Sequence, residues 1–551
     1  MRPLHTRAAD ALAATLVANR VRHLFTLSGN QIMSVFDALV GAPIGLVHVR
    51  HEAAAVHMAD GFGRLTGEPG VALLTAGPGF ANGLAALFTA QAAESPVVLL
   101  AGAAPLAEQG RGAFQEMPQA QLASAFAKAS WTVERPEEVA PAVARALRLA
   151  RSGRPGPVQV TLPVDVLEES LDAVAGVVVH ATPTAPDPRL AEIAPAVARA
   201  ERPLLLLGPA SGRGPALQAL ARAAEHAGLP LAVLDSPRGL ADPRLGLLPE
   251  LLGEADLLVL VGRKPDFALR FARTPPLAPT ARLLVLDPDR EVVEACRRRH
   301  GQRLLEALVC PFAQAAEALA AAVPADVPGR AAWRRRVLAA LAWRPAEWAD
   351  HRGPAAGPLH PLEVGRALQP LLDRDPGSVL VLDGGEFGQW ARACLSAPRL
   401  LGNGPAGAIG GSLPMALAAR LVEPRAPVVA VMGDGTAGFH PAELDTAVRA
   451  GLPVVVIVGN DARWNAEQQI QRRTYGADRL LGCDLLPTRY DRVAQGFGAE
   501  GMWVQRAEEL GPALQRALAS PLPVLLNVAI EPAAAPLLRS NGTPAALGTH
   551  G

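Results

Sequence analysis

The stretch Val431–Asp461, VMGDGTAGFHPAELDTAVRAGLPVVVIVGND, decides the fold. It begins inside one apolar run, APVVAVMG, and ends in another, LPVVVIVG. Such valine-rich runs read as strands buried on both faces of a parallel sheet. Between them PAELDTAVRAG reads as the crossover helix. Gly433, Gly435 and Gly438 spell GxGxxG between the first strand and that helix. There, free backbone N–H groups and the helix dipole favour a phosphate. Asp434 sits inside the motif, and a carboxylate facing a phosphate is repelled unless a cation lies between them. Neighbouring parallel strands end on the same sheet edge, so Asn460 at the end of the second run can meet Asp434. A carboxylate, an amide oxygen and a backbone carbonyl are hard ligands that suit Mg²⁺, which also takes diphosphate oxygens. Two plainer readings stay open. In one, Asp434 caps the helix and Asn460 closes a turn. In the other, the glycines are a bare nicotinamide-dinucleotide fingerprint with Asp461 on a ribose, which leaves Asp434 uncompensated.

Working outward, the same pattern recurs along the chain. GLVHV, GVALLTAG, SPVVLLAG and GPVQVTLP, between residues 45 and 163, read as buried parallel strands. PEEVAPAVARALRLARSG reads as an amphipathic helix stopped at Gly153. RPLLLLG, LPLAVLD, ADLLVLVG and ARLLVLD form a second series, after the linker ATPTAPDPR. GSVLVLDGG, APVVAVMGDG, LPVVVIVGND and PVLLNVAI form a third, beyond a Pro/Arg/Trp-rich connector from about residue 323 to 358. Alternating strands and helices predict an α/β protein of three doubly wound parallel-sheet domains, at 1–175, 190–325 and 355–551.

Composition limits what such a protein does. Its 551 residues are half hydrophobic, enough for sizeable cores. Its 52 basic and 52 acidic side chains cancel, which removes the electrostatic case for nucleic acid or an anionic membrane. There is no 18-residue apolar run to span a bilayer. The opening MRPLHTRAADALAATLVANR reads as an amphipathic helix without a signal peptide's apolar stretch. Cys296, Cys310, Cys394 and Cys483 are too scattered for a metal or redox motif. The expectation is a soluble cytoplasmic protein.

With these motifs placed, the chain resembles the thiamine diphosphate enzymes of the acetolactate synthase type over nearly its whole length. The family's diphosphate motif, GDG followed by an Asn pair, is similar to GDG…GND here. The resemblance implies that Asp434, Asn460 and the carbonyl of Ala462 bind Mg²⁺, with Gly435 and Thr436 on the diphosphate. VRHEAAAVHMADGFGRLTG resembles the segment around the family's catalytic glutamate, here Glu52. Its carboxyl would hydrogen-bond N1′ of the cofactor's aminopyrimidine and so activate the thiazolium C2 as a nucleophile. Read alone, Glu52 is equally a salt-bridge partner for Arg50 or Arg64, and His51 and His57 are partly buried polar residues. TAGPGFANGLAAL is similar to the pyrimidine-contacting loop, with Pro78 and Asn82 at matching positions. GAFQEMPQ resembles the segment on the reaction face and would bring Phe114 and Gln115 to the substrate, although alone Phe114 reads as core. GPAGAIGGSLPMALAARL resembles the loop that bends the cofactor, with Ile409 as the prop and Gly407 offering a carbonyl.

The substrate apparatus departs from that family. Glu386-Phe387 stands where typical acetolactate synthases carry Gln-His, and Gln469 where a Trp shapes the acceptor pocket, with Trp464 nearby. The flavin-contacting segment of the central domain is degenerate, which puts FAD in doubt and leaves Arg263 and Arg270 as candidate substrate arginines. The resemblance implies a thiamine diphosphate- and Mg²⁺-dependent transferase or lyase, a carboligase acting on a 2-oxo acid. The alternative is a 2-hydroxyacyl-CoA lyase, whose CoA would meet LLLLGPASGRGPA unless that is a structural turn. A nicotinamide oxidoreductase and an inactive scaffold homologue are the remaining rivals. By the same resemblance the protein is a homodimer or homotetramer with sites at the subunit interface.

Overall fold

A computed structural model describes residues 6–180, 185–322, 329–355 and 357–539. Parts of the linker and connector, and the low-complexity end beyond residue 539, lie outside the described residues. Three parallel sheets carry the chain. The N-terminal sheet runs Gly45–His48, His23–Thr26, Gly70–Leu74, Val97–Ala103, Val158–Pro163, Ala129–Thr132. The central sheet runs Leu231–Val233, Pro203–Leu207, Leu257–Val261, Arg282–Asp287, Leu304–Val309. The C-terminal sheet runs Arg399–Gly402, Val379–Leu382, Val428–Gly433, Val455–Asn460, Val524–Ala529, Glu500–Val504. A short antiparallel ribbon, Thr6–Arg7 with Ser170–Leu171, ties the start of the first domain to its end.

The predicted strands are there, and the structure adds five to the three parallel sheets. Ala129–Thr132, Leu304–Val309, Arg399–Gly402 and Glu500–Val504 are edge strands, and His23–Thr26 lies one place in from an edge. Edge strands are half solvated, so their sequences lack the unbroken apolar run that marks a central parallel strand. The helix read at PAELDTAVRAG is there as Glu443–Arg449, and the glycine motif adds a helical turn ahead of it, Asp434–Ala437. The connector is also more ordered than its composition implies. It holds the helix Arg330–Ala342, whose buried Trp333 donates to Pro203 O at 2.8 Å.

The first and third domains share one core. Phe25, Met58 and Phe80 belong to the same apolar cluster as Met415, Val428 and Val456. The helices Glu52–Thr66 and Ser412–Val422 meet closely, since a Cβ on Gly61 would lie 3.1 Å from Met415 Cα. The central domain is held instead by buried ion pairs. Arg154 bridges Glu94 and Asp287, and Arg392 bridges Asp242 and Asp235. Losing Arg154 would leave two buried carboxylates without a counter-charge. Arg154→Ala is expected to cost about 3–5 kcal/mol, the size of a broken buried pair, seen as an earlier guanidinium unfolding midpoint.

No helix among the described residues is long and apolar enough to cross a membrane. The four cysteines are unpaired.

Candidate functional site

In the C-terminal sheet the strand order reverses between Val379–Leu382 and Val428–Gly433. Open α/β sheets bind ligands in the crevice beyond the strand ends at such a switch point. The pocket here is lined by Gly384, Gly385 and Glu386 from one strand end, Gly433–Thr436 from the next, and Asp461 and Trp464 from the third, with Ile409 across from them.

Asp434 is the charged floor of this pocket, 2% exposed. Its Oδ2 is a buried oxygen with no hydrogen-bond partner. Burial raises its pKa to about 6, against the backbone N–H groups of Gly435, Asp434 and Arg463. The Asp461 carboxyl faces it and is raised further, to about 7, first by burial and then by the charge of Asp434. Two poorly solvated carboxyls held together with an unpaired oxygen form a donor set that fits a divalent cation.

Asn460 is buried at the end of its strand, 6% exposed. Its Nδ2 donates to Thr488 O at 2.9 Å and Asn527 Oδ1 at 3.1 Å, and its Oδ1 accepts from Ala462 N–H at 3.2 Å. The Ala462 carbonyl accepts from Leu485 N–H at 2.8 Å. Among the described residues each of these oxygens accepts a single hydrogen bond and keeps a second lone pair for a cation. Asn460 also closes the turn that brings Asp461 to Asp434.

The opposite wall is set by Asp383, which the sequence reading passed over. Its buried carboxylate accepts from Gly384 N–H at 2.7 Å, Gly410 N–H at 3.1 Å and Ser412 N–H at 3.2 Å. Those bonds shape the glycine-rich loop and hold Ile409 against Gly384, where a Cβ would come within 2.6 Å of Ile409 Cγ2. His440 Nδ1 lies 2.9 Å from Gly410 O on the loop's far side. Gly407 is left-handed, φ 67°, and faces Pro237 of the central domain. Trp464 packs over Gly435, and Gln469 donates to Asn465 Oδ1 at 3.0 Å. Glu386 is buried, with its pKa raised by that burial, and accepts from Ala535 N–H at 3.0 Å.

Glu52 opens the helix Glu52–Thr66. Glu443 of the C-terminal domain sets that helix start by accepting from Arg50 N–H and His51 N–H, both at 3.1 Å. The Glu52 carboxylate accepts from Asn82 Nδ2 at 3.0 Å. The salt-bridge reading is not realised, because Arg64 pairs with Asp60 and Arg50 with Asp445. His57 is buried and neutral, its pKa lowered to about 3 first by burial. Pro78 takes the first turn of the helix Pro78–Ala92. Phe114 is 75% exposed, so it is not core, and Gln115 beside it has φ 60°. None of Glu52, Pro78, Asn82 or Gln115 lines the Asp434 pocket of the same chain.

In the central domain the glycine turn after Pro203–Leu207 spends its donors on the protein. Gly208 N–H donates to Ser211 Oγ at 2.9 Å, Ala210 N–H to Glu94 at 3.1 Å and Gly212 N–H to Gly208 O at 2.9 Å. Arg263 is turned inward onto Leu234 O and Asp266, and Arg270 lies in a left-handed kink at φ 47°. Neither presents a free guanidinium to the Asp434 pocket.

Comparison with known proteins agrees with this geometry. Residues 6–124 match the model for the thiamine pyrophosphate enzyme, N-terminal TPP binding domain. Residues 383–528 match the corresponding C-terminal TPP binding domain. A probable acetolactate synthase of Mycobacterium bovis is 34% identical, with 96% of this chain and 97% of the relative covered. The catabolic acetolactate synthase of Raoultella terrigena is 32% identical over 98% of each chain. The human 2-hydroxyacyl-CoA lyase 2 is 33% identical over 91% of this chain and 85% of its own. The glycines around Asp434 thus lie in a thiamine pyrophosphate domain rather than a nicotinamide one, and the chain belongs to the thiamine diphosphate-dependent enzymes of the acetolactate synthase type.

Proposed function

We propose that this protein is a thiamine diphosphate- and Mg²⁺-dependent C–C lyase or carboligase acting on a 2-oxo acid. The carrying observation is the buried Asp434–Asp461 pair with its unpaired oxygen, at the switch point of a sheet. Asp434 and Asp461 hold the cation together with Asn460 Oδ1 and the Ala462 carbonyl, each of which keeps a lone pair beyond its one hydrogen bond. Gly435 and Thr436 turn backbone N–H groups to the diphosphate, and Ile409 props the cofactor from the loop that Asp383 shapes. Gly407 adds a backbone carbonyl. When bound, thiamine diphosphate supplies a nucleophilic carbon that attacks a carbonyl and takes up the electron pair of the breaking bond. Glu52 exchanges a proton at N1′ of the pyrimidine, steered by Asn82, with Pro78 beside them. Gln115 lies on the substrate side.

Glu52 does not border the pocket of its own chain, so we infer a homodimer or homotetramer in which the first domain of one copy completes the site of another. Phe439, Leu481 and Leu486 are exposed apolar residues of the C-terminal domain that such a neighbour would cover. We assign no flavin to the central domain, because its glycine turn has spent its donors.

A second reading, cleavage or formation of a C–C bond beside a CoA thioester, draws support from the human lyase and from Gln469 in place of an aromatic wall. The deciding experiment supplies purified protein with thiamine diphosphate and Mg²⁺. It then offers pyruvate, formaldehyde with formyl-CoA, or a 2-hydroxyacyl-CoA. Acetolactate from pyruvate is the expected product. Thioester turnover without pyruvate turnover selects the second reading. No product from any of the three, with cofactor bound, removes both.

A further inference from the structure

The N-terminal sheet has a switch point of its own. His23–Thr26 lies between Gly45–His48 and Gly70–Leu74, so the strand order reverses there. Residues 27–31 and 75–77 emerge at the crevice this opens. Three polar side chains meet there in series. The Thr75 hydroxyl donates to Gln31 Oε1 at 2.8 Å. Gln31 Nε2 donates to Gln115 Oε1 at 3.0 Å. Gln31 is 4% exposed, and a Cβ on Gly102 would lie 3.1 Å from its Cβ. Gln115 is confined as well. Its backbone is left-handed, and a Cβ on Gly77 would stop 2.9 Å from the Gln115 Cβ.

A glutamine amide has two orientations of nearly equal shape, with donor and acceptor exchanged. The series removes that freedom. Among the described residues, Gln31 Oε1 is the one acceptor of the buried Thr75 hydroxyl. Reversing the amide of Gln31 would leave that hydroxyl hydrogen unpaired, at the cost of an unsatisfied buried donor. With Gln31 fixed, Nε2 faces Gln115 and draws the Gln115 oxygen inward. The Gln115 Nε2 hydrogens then point away from the network and have no partner among the described residues.

We propose that Gln31 is a positioning residue, which through Thr75 and Gln115 presents the Gln115 amide hydrogens to a carboxylate or carbonyl oxygen of the substrate. This rests on the reading of Gln115 as substrate-facing. The ligand class follows from the chemistry, since two N–H donors attract an oxygen acceptor and offer nothing to a cation.

Gln31→Glu is the discriminating variant. It keeps length, shape and the Thr75 bond, but an ionised carboxylate only accepts, so Gln115 must turn its NH₂ inward to meet it. In the holoenzyme at pH 8, kcat/KM for pyruvate, or for the 2-hydroxyacyl-CoA if that is what the native protein turns over, should fall roughly 10- to 100-fold, the scale of a lost or reversed hydrogen bond to a charged group. The loss should sit mainly in KM and recede as pH falls, because the protonated carboxyl regains a donor. It should vanish as a separate effect in a Gln115→Ala background. A readout independent of turnover is the side-chain amide NMR signal of Gln115, assigned by its disappearance in Gln115→Ala. In Gln31→Glu that signal should shift and gain protection from solvent exchange. Should Gln31→Glu fail to fold, Thr75→Val removes only the hydroxyl and should move both readouts in the same direction by less. A pH-independent loss, additivity with Gln115→Ala, or an unmoved Gln115 signal overturns the proposal. Glu52→Gln run alongside separates the two layers. If it stays active, the reading of the site fails. If it is inactive while Gln31→Glu behaves as native, the role of Gln31 alone fails.

Discussion

Glu52→Gln is expected to lower turnover by roughly 10²- to 10⁴-fold, the range of positioned acid–base groups, while thiamine diphosphate stays bound. The substitution is close to isosteric. The glutamine oxygen still accepts from Asn82, and the helix start is still held by Glu443 through the backbone of Arg50 and His51. What disappears is a group that can carry a proton and release it. On the proposed assignment the cofactor's diphosphate end is held elsewhere, at the switch point of the other sheet, so affinity should change little. Turnover and cofactor binding, the latter by quenching of tryptophan fluorescence, are measured on the same protein. Native turnover in this variant would rule out Glu52 as the proton carrier. Loss of both turnover and binding would make Glu52 a structural residue instead.

The pattern of apolar runs made the three sheets legible because central parallel strands are buried on both faces and leave no room for polar residues. Val428–Gly433 and Val455–Asn460 are of this kind. Glu500–Val504 is not, and its half-buried residues carry no such mark. The candidate site was legible in its charged floor and strand-end amide but not in the distant segments that orient them. Strand pairing aligns Gly433 with Gly459, which brings Asn460 level with Asp434 and makes it the natural partner on paper. Thr488 and Asn527 take the Nδ2 hydrogens of that amide and so fix which way its oxygen faces. Side-chain competition for hydrogen bonds among segments distant in sequence decides this, and one strand-end motif holds no trace of Asn527. Asp383 was missed for a related reason. Its partners, Gly410 and Ser412, lie 27 and 29 residues away along the chain.

The second large effect concerns Asp434 and Asp461. In the metal-free fold their pKa values lie near 6 and 7, above the ordinary 3.8, chiefly through burial. The folded state therefore keeps protons that the unfolded chain releases, and metal-free stability falls as pH rises from about 4 through 7. On the proposed assignment Mg²⁺ binds the ionised carboxylates, so its affinity should rise over the same interval. The gap in melting temperature between protein with Mg²⁺ and thiamine diphosphate and protein in chelator should widen from pH 5 to pH 8. A ligand at a hundred times its dissociation constant contributes about 2.7 kcal/mol of this. Asp461→Asn removes one charge and should stabilise the metal-free protein at pH 8. It should also weaken Mg²⁺ by at least roughly tenfold, since even outer partners of metal ligands are worth that much. Asp434→Asn should do the same and lose the diphosphate too. Asn460→Ala should lower stability by releasing Thr488 and Asn527 and should weaken Mg²⁺ as well, through the lost Oδ1. Native Mg²⁺ affinity in Asp461→Asn would remove Asp461 from the ligand set, and native affinity in Asn460→Ala would remove Asn460.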